Sequence, residues 1–157
     1  MRIRPATPAD LSAMMAIERR AATAAHWSEA GYTRIFQLAA PRRVALVVEE
    51  DKLCGFLVAR QLGEEWEVEN FAVAEAAQRR GLGAALLGHF LEFARSQGAA
   101  SVFLEVRESN RVAQRLYEKW AFSQSGRRKS YYDNPLEDAL VYRFSFSQLP
   151  PKSVEGG

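Results

Sequence analysis

The sequence predicts an α/β domain, a mixed central sheet with helices on both faces. Short stretches such as Trp66–Phe71 and Val102–Val106 alternate in polarity or run apolar, as strands do. Between them lie helically spaced stretches opened by capping residues: Thr7-Pro8, Ser28 and Ser109-Asn110. The resulting order, β-α-α-β-β-β-α-β-α-β-β, interleaves the two types and places helices over a sheet.

Met1–Arg4 reads as the first strand. Thr7 at N-cap, Pro8 at N1 and Asp10 near the positive end open a helix through Leu11, Met14, Met15 and Ile17 to about Arg20. Ala21–Trp27 connects it to a helix capped by Ser28 and carrying Tyr32, Ile35, Phe36 and Leu38. Strands Val44–Glu50 and Leu53–Leu62 follow, joined through Glu50-Asp51-Lys52 as a hairpin. In the next strand alternation puts Trp66, Val68 and Asn70 on one side and Glu67, Glu69 and Phe71 on the other. After an irregular piece, Ala74–Gln78, a helix runs to Gly98, placed as its C′ residue. Ala100–Arg107 is a strand, and Ser109/Asn110 cap a helix to about Trp120 whose Val112, Leu116 and Trp120 form a stripe suited to the core. Phe122–Gly126 and Leu140–Phe146 form a last antiparallel pair, linked by a basic and aromatic loop, Arg127–Asp138.

With 157 residues the chain has the length of one domain, taken as residues 1–149 with a frayed tail from Pro150 to Gly157. Its 48% apolar and 25% charged residues are those of a soluble globular protein. A net charge of +2 gives no reason to expect nucleic acid. The single Cys54 cannot form an internal disulfide, and Cys/His spacing for a metal is absent, so no metal is expected. No signal peptide or membrane span is read, and a cytoplasmic monomer is expected.

Gln78-Arg79-Arg80-Gly81-Leu82-Gly83-Ala84 opens the third helix. Two glycines there let backbone approach a ligand, and the first-turn N–H groups have no intrahelical partner. The helix dipole, with Arg79 and Arg80 beside it, suits a pyrophosphate. An ordinary turn with a basic surface fits the same residues. A Walker loop is excluded, because no Gly-x-x-x-x-Gly-Lys run exists. A dinucleotide fingerprint is disfavoured, because position 86 is Leu86 where a third glycine belongs.

This order, with Gln78-x-x-Gly81-x-Gly83 between the fourth strand and third helix, resembles the GNAT superfamily of acetyl-CoA-dependent N-acetyltransferases. Leu104-Glu105-Val106-Arg107, Ser109-Asn110 and Leu116-Tyr117-Glu118 narrow the resemblance to the bacterial ribosomal-protein-alanine N-acetyltransferases (RimI). So do Trp27-Ser28-Glu29, Arg127-Arg128-Lys129-Ser130-Tyr131-Tyr132 and Glu137-Asp138-Ala139. The resemblance implies a GNAT-type sheet and acetyl-CoA as acetyl donor. It also implies transfer to a protein N-terminal amine, the alanine of a small-subunit ribosomal protein. Carried over by position, Phe71, Ala72 and Val73 offer strand-edge backbone to the pantetheine arm and acetyl carbonyl. Arg79, Arg80, Gly81, Leu82, Gly83 and Ala84 hold the pyrophosphate, and Asn110 bonds the pantetheine. Glu105 corresponds to the proton acceptor and Tyr117 to the proton donor. Ala121 replaces a glycine usual in the family, and His26 a proline before the substrate-side Trp27. The alternatives are the same chemistry on another protein terminus, a small amine or an antibiotic, and a CoA-binding sensor without turnover.

Independently of the resemblance, Tyr117 lies seven residues from Asn110 on one helix and so on its face, off the core stripe. A packing tyrosine is the competing assignment. Glu105 shares a strand face with Phe103, where a charged residue lies toward the exposed end of the strand, is paired, with Arg107 the candidate, or serves a site. An α-amine with a pKa of about 8 is roughly one-tenth neutral at pH 7, so a weak base suffices. A lysine amine, at about 10.4, is neutral a few hundred-fold less often, which favours a terminal substrate. Attack needs no enzyme nucleophile, so Cys54 reads as a core residue. Trp27, Tyr131 and Tyr132 are the expected substrate walls, with a hydrophobic latch on the loop as the other assignment for the tyrosines.

Overall fold

The computed structural model describes residues 1–21, 27–37, 40–78 and 80–148. His26, Arg79 and the 150–157 tail lie outside them. The strands are β1 (Arg2–Pro5), β2 (Arg43–Glu49), β3 (Leu53–Leu62), β4 (Glu65–Val73), β5 (Ser101–Arg107), β6 (Ser123–Tyr132) and β7 (Glu137–Ser145). The helices are α1 (Leu11–Arg20), α2 (Glu29–Gln37), α3 (Leu82–Ser96) and α4 (Arg111–Lys119). The predicted element order is borne out. All strands join one sheet in the order β1-β2-β3-β4-β5-β7-β6. Among the described residues only the β4–β5 pair is parallel, because α3 carries the chain back over the sheet between them.

Caps fix several helix starts. The Thr7 N–H donates to Asp10 Oδ2 at 2.7 Å, and Pro8–Asp10 form a 3-10 turn ahead of α1. Arg4 grips both Asp10 and Glu49, which ties β1 and β2 to that turn and holds the Asp10 carboxyl below its usual range. Gly31 N–H donates to Ser28 Oγ at 3.2 Å, the expected cap of α2.

Each face of the sheet has its own core. Trp66, Leu86, Leu87, Phe90, Leu104 and Tyr142 belong to the larger cluster, under α3 and α4. Met14, Tyr32, Ile35, Val47, Phe56, Val58 and Ala72 are the buried residues of the smaller one, drawn from α1, α2, β2, β3 and β4. Cys54 is buried in the larger cluster, as expected of a core residue.

Strict alternation fails in β4. Val58 pairs with Asn70 but Ala59 pairs with Val68, so Glu69 is an extra, bulged residue. The bulge reverses the phase: Trp66 and Val68 face the larger core, while Asn70 turns to the other face and meets Glu18 and Tyr32. Asn70 therefore does not share a side with Trp66 and Val68. A bulge is a one-residue irregularity that alternation cannot anticipate.

Two other expectations are corrected. Val112 is 78% exposed and Trp120 36%, so the 112/116/120 stripe is not the core face; α4 buries Gln114 and Tyr117 instead. The segment Arg127–Asp138 is no loop: β6 continues to Tyr132 and β7 begins at Glu137. Its register slips between Arg128 and Tyr132, with Asp138 accepting from the Ser130 N–H at 2.8 Å. Polar side chains on an exposed edge strand mimic a loop in composition.

Gly98 (φ 77°) ends α3 as predicted, with its N–H on the Arg95 carbonyl and the Ala99 N–H on that of Ala94. Helix α4 ends in the same bonding pattern. The Ala121 N–H reaches the Glu118 carbonyl and the Phe122 N–H that of Tyr117, at 3.0 and 2.9 Å. Here the left-handed residue is Ala121, with φ 69°. Ala121→Gly relieves that strain but gives the unfolded chain more freedom. The expected net gain is about 0.5–1 kcal/mol, roughly 1–4 °C in Tm, read by thermal melts.

Candidate active site

Strands β4 and β5 pair only from Glu65 to Val68 and from Ser101 to Leu104. Beyond Val68 and Leu104 the two strands part, leaving a slot between Glu69–Val73 and Glu105–Arg107. On its other edge β4 stays bonded to β3 as far as Val73, opposite Gly55. The Ala74 N–H donates to the Cys54 carbonyl at 2.7 Å, so by alternation Phe71 and Val73 direct their N–H groups away from β3, into the slot. The Val73 carbonyl accordingly accepts from Gln78 Nε2 at 3.2 Å rather than from β3.

The N-terminus of α3 sits beside this edge. Gly81 caps it with φ 79°, a conformation that glycine adopts without strain. A Cβ on Gly83 would stand 3.4 Å from Val73 Cγ2 and 3.6 Å from the Phe71 ring, so the first turn packs on the slot strand. The first intrahelical donor is the Ala85 N–H, to the Gly81 carbonyl, which leaves those of Leu82, Gly83 and Ala84 for an anion. Arg80 is paired with Glu50 at 2.7 Å, in an exposed bridge of little energetic weight that an anion can exchange. Asn110 Oδ1 caps α4 by accepting from the Ala113 N–H at 3.1 Å, leaving its Nδ2 as a donor.

Glu105 and Tyr117 approach the slot from opposite faces of the sheet. Tyr117 belongs to the larger core, its ring 6.4 Å from Phe71, 5.8 Å from Phe122 and 6.2 Å from Tyr142. It is therefore a core residue, not one outside the core. Its hydroxyl has no hydrogen-bond partner among the described residues, unlike a purely packing tyrosine. Burial pushes this phenol above its ordinary value, so it stays protonated.

Glu105 lies on the other face, its side chain 11% exposed. Burial raises its carboxyl above the ordinary 4.5, against the pull of Arg128, whose Nε stands 3.2 Å from Oε2. Oε2 is buried with no hydrogen bond. Arg107, the expected competing partner, bonds Glu137 at 3.2 Å and the carbonyls of Asp133 and Pro135. It lies 4.3 Å over the Tyr132 ring and so braces the β6–β7 turn.

No residue of β5, β6 or β7 contributes to the smaller core, so this half of the sheet presents an open face. A transverse row crosses it: Arg43, Arg60, Glu67, Phe103 and Arg143, each opposite the next. Tyr131, half-exposed, stands edge-on to Tyr132 at 5.1 Å on one flank. Trp27, edge-on to Tyr32 at 5.5 Å, stands on the other. Both flanks thus border the face on which Glu105 opens. The charged row was missed at the sequence level. Its signal was present, as a charge at every second position of Glu65–Glu69 and at Glu105 and Arg107, but sheet order was needed to align it.

A slot edged by free strand amides, closed by a helix N-terminus and flanked by an acid and a phenol has the parts that acyl transfer requires. The match to the acetyltransferase (GNAT) family model spans residues 11–122, and the chain belongs to that family. It is an acetyl-CoA-dependent N-acetyltransferase. A [ribosomal protein bS18]-alanine N-acetyltransferase of Salmonella typhimurium is 34% identical over 141 residues, covering 88% of this chain and 93% of that protein. Its Escherichia coli K12 counterpart is 33% identical over 147 residues, with the same coverage. The crystal structure of the ribosomal-protein-S18-alanine N-acetyltransferase from Escherichia coli superposes with a TM-score of 0.82 at 30% identity, covering 98% of this chain and 97% of that one. The α/β sheet with helices on both faces is thus the GNAT fold. No helix among the described residues is long and apolar enough to cross a membrane.

Proposed function

We propose that the chain acetylates the α-amine of a protein N-terminus, the alanine of ribosomal protein bS18 by likeness to its relatives, with Glu105 as base and Tyr117 as acid. The observation that carries this reading is a pair of oxygens that accept no hydrogen bond among the described residues, Glu105 Oε2, ion-paired with Arg128 at 3.2 Å, and Tyr117 Oη, on opposite faces of one slot. Acetyl-CoA supplies the acetyl group as a thioester. The amides of Leu82, Gly83 and Ala84, with Arg79 and Arg80 alongside, would hold its phosphates. Phe71–Val73 and Asn110 Nδ2 would hold its arm.

Glu105 accepts a proton from the amine on the open face, directly or through one water. Its raised basicity brings it nearer the α-amine's pKa of about 8. The Val73 N–H, aimed into the slot before reaction, offers a donor to the carbonyl oxygen as charge develops there. Tyr117 gives its proton to the departing sulfur from the opposite face. Transfer from a phenol near 10 to a thiolate near 8.5 is uphill in water by about 2 kcal/mol. Burial raises the Tyr117 phenol, so the transfer requires the departing sulfur to be raised by the same apolar surroundings. Trp27, Tyr131 and Tyr132 wall the extended peptide.

The test incubates the enzyme with acetyl-CoA and hexapeptides beginning in alanine, free or blocked at the N-terminus, and reads thiol release and product mass. Acetylation of the free termini alone is expected. Thiol release only with polyamines or free amino acids overturns the reading.

A further inference from the structure

The bulge in β4 decides which of its amides face the slot. Running back from the Ala74–Cys54 bond, Cys54, Phe56 and Val58 of β3 turn their backbone groups toward β4. Continued without the bulge from the Val68–Ala59 pair, the register would set Phe71 against Phe56 and Val73 against Cys54. Both N–H groups would then be taken up by β3. With Glu69 as the extra residue, Asn70, Ala72 and Ala74 occupy those places, and the Phe71 and Val73 N–H groups are left for the slot. A bulge interrupts the ladder, so the ladder alone does not fix where it sits.

A buried carboxylate holds it. Glu18, in the last turn of α1, is 2% exposed and forms no ion pair among the described residues. It accepts from Asn70 Nδ2 and from the Tyr32 hydroxyl, and Asn70 Nδ2 also reaches Tyr32 Oη at 3.2 Å. Asn70 makes these bonds while its own Oδ1 stays buried without a partner. Moving the bulge would carry Asn70 through the sheet to the larger core and leave the Glu18 charge on the face of the smaller one without its charge-assisted bond. Resting on the reading of the slot as the seat of the acetyl-CoA arm, we propose that Glu18 is a positioning residue for the reaction. Through Asn70 it locks the β4 bulge and so holds the Phe71 and Val73 N–H groups in the slot. It touches neither substrate nor cofactor, and its link to the slot is the chain itself, since Asn70 immediately precedes Phe71.

The test exchanges donor and acceptor, and calorimetry reads two ligands: acetyl-CoA, and phosphoadenosine diphosphate, the cofactor's nucleotide half without the arm. Asn70→Asp sets a second carboxylate against Glu18. It is expected to weaken acetyl-CoA binding by about tenfold and to lower kcat/KM for an alanine-initiated peptide by about 10²-fold. Glu18→Gln, which keeps one acceptor of two, weakens acetyl-CoA binding by about threefold and serves alone where Asn70→Asp does not fold. Glu18→Gln with Asn70→Asp rebuilds the bond in reverse, the new amide donating to the new carboxylate, and restores both quantities to within about threefold of the parent. The nucleotide half binds the N-terminus of α3 equally in every variant. Unchanged acetyl-CoA binding and kcat/KM in the single variants, or no recovery in the exchange, remove this inference and leave the slot reading standing. So does an equal loss for both ligands in folded variants, which marks general damage. A parent that binds acetyl-CoA no tighter than its nucleotide half removes both.

Discussion

Glu105→Gln is expected to lower kcat/KM for an alanine-initiated peptide by about 10²–10³-fold while leaving the fold at least as stable. The two effects have one cause. The Glu105 carboxylate is held in a half-buried position that disfavours its charge, and Arg128, 3.2 Å from Oε2, offsets that only in part. Because its folded pKa lies above the ordinary 4.5, the ionised side chain subtracts stability once the pH passes its unfolded value, and fully so above its folded one. Glutamine removes that cost. The variant's Tm therefore matches or exceeds the parent's at pH 7.5, and the advantage closes as the pH falls below about 4.5. A structural glutamate would give the opposite sign, losing stability with its charge.

The rate profile supplies a second readout. The peptide amine must be neutral, so log kcat/KM rises with slope one up to a pH of about 8. Below the Glu105 pKa the base must also lose its proton, and the slope steepens to two. In Glu105→Gln the steep segment is absent and slope one persists. A glutamine variant that keeps the parent's steep limb, or its rate, removes Glu105 as the base.

The placing of the site follows from features that differ in how locally they are encoded. Gly81 and Gly98 announce their left-handed φ because few other residues take it without strain, and the capping residues announce the starts of α2 and α4. The alternation of Phe103, Glu105 and Arg107 likewise set Glu105 on its face. What did not show was non-local. The bulge at Glu69 depends on how β3 and β4 register, and it alone turns Asn70 to the face of α1 and α2. Tyr117 reads as peripheral to the Val112 stripe because that stripe, regular in sequence, meets solvent. Nothing in positions 105 and 107 says which partner each finds. That Arg107 turns to Glu137, thirty residues on, is what leaves Glu105 without it.

Tyr117 carries two separable loads, and substitutions divide them. Tyr117→Phe keeps the ring against Phe71, Phe122 and Tyr142 and deletes a hydroxyl that makes no hydrogen bond among the described residues, so Tm changes little. Tyr117→Ala empties a buried ring site and costs about 3–5 kcal/mol, a large part of a domain's stability. On activity, Tyr117→Phe is expected to lower kcat by about 10²-fold, the low end of general-acid contributions. That loss comes from protonating the leaving sulfur, so it depends on how badly the sulfur needs a proton. With an acetyl thioester whose thiol is several units more acidic, parent and Tyr117→Phe converge, because the departing thiolate is stable unprotonated. An undiminished gap with the acidic thiol would assign Tyr117 to positioning the donor rather than to proton transfer. An unchanged kcat with acetyl-CoA itself would leave it a packing residue of the core.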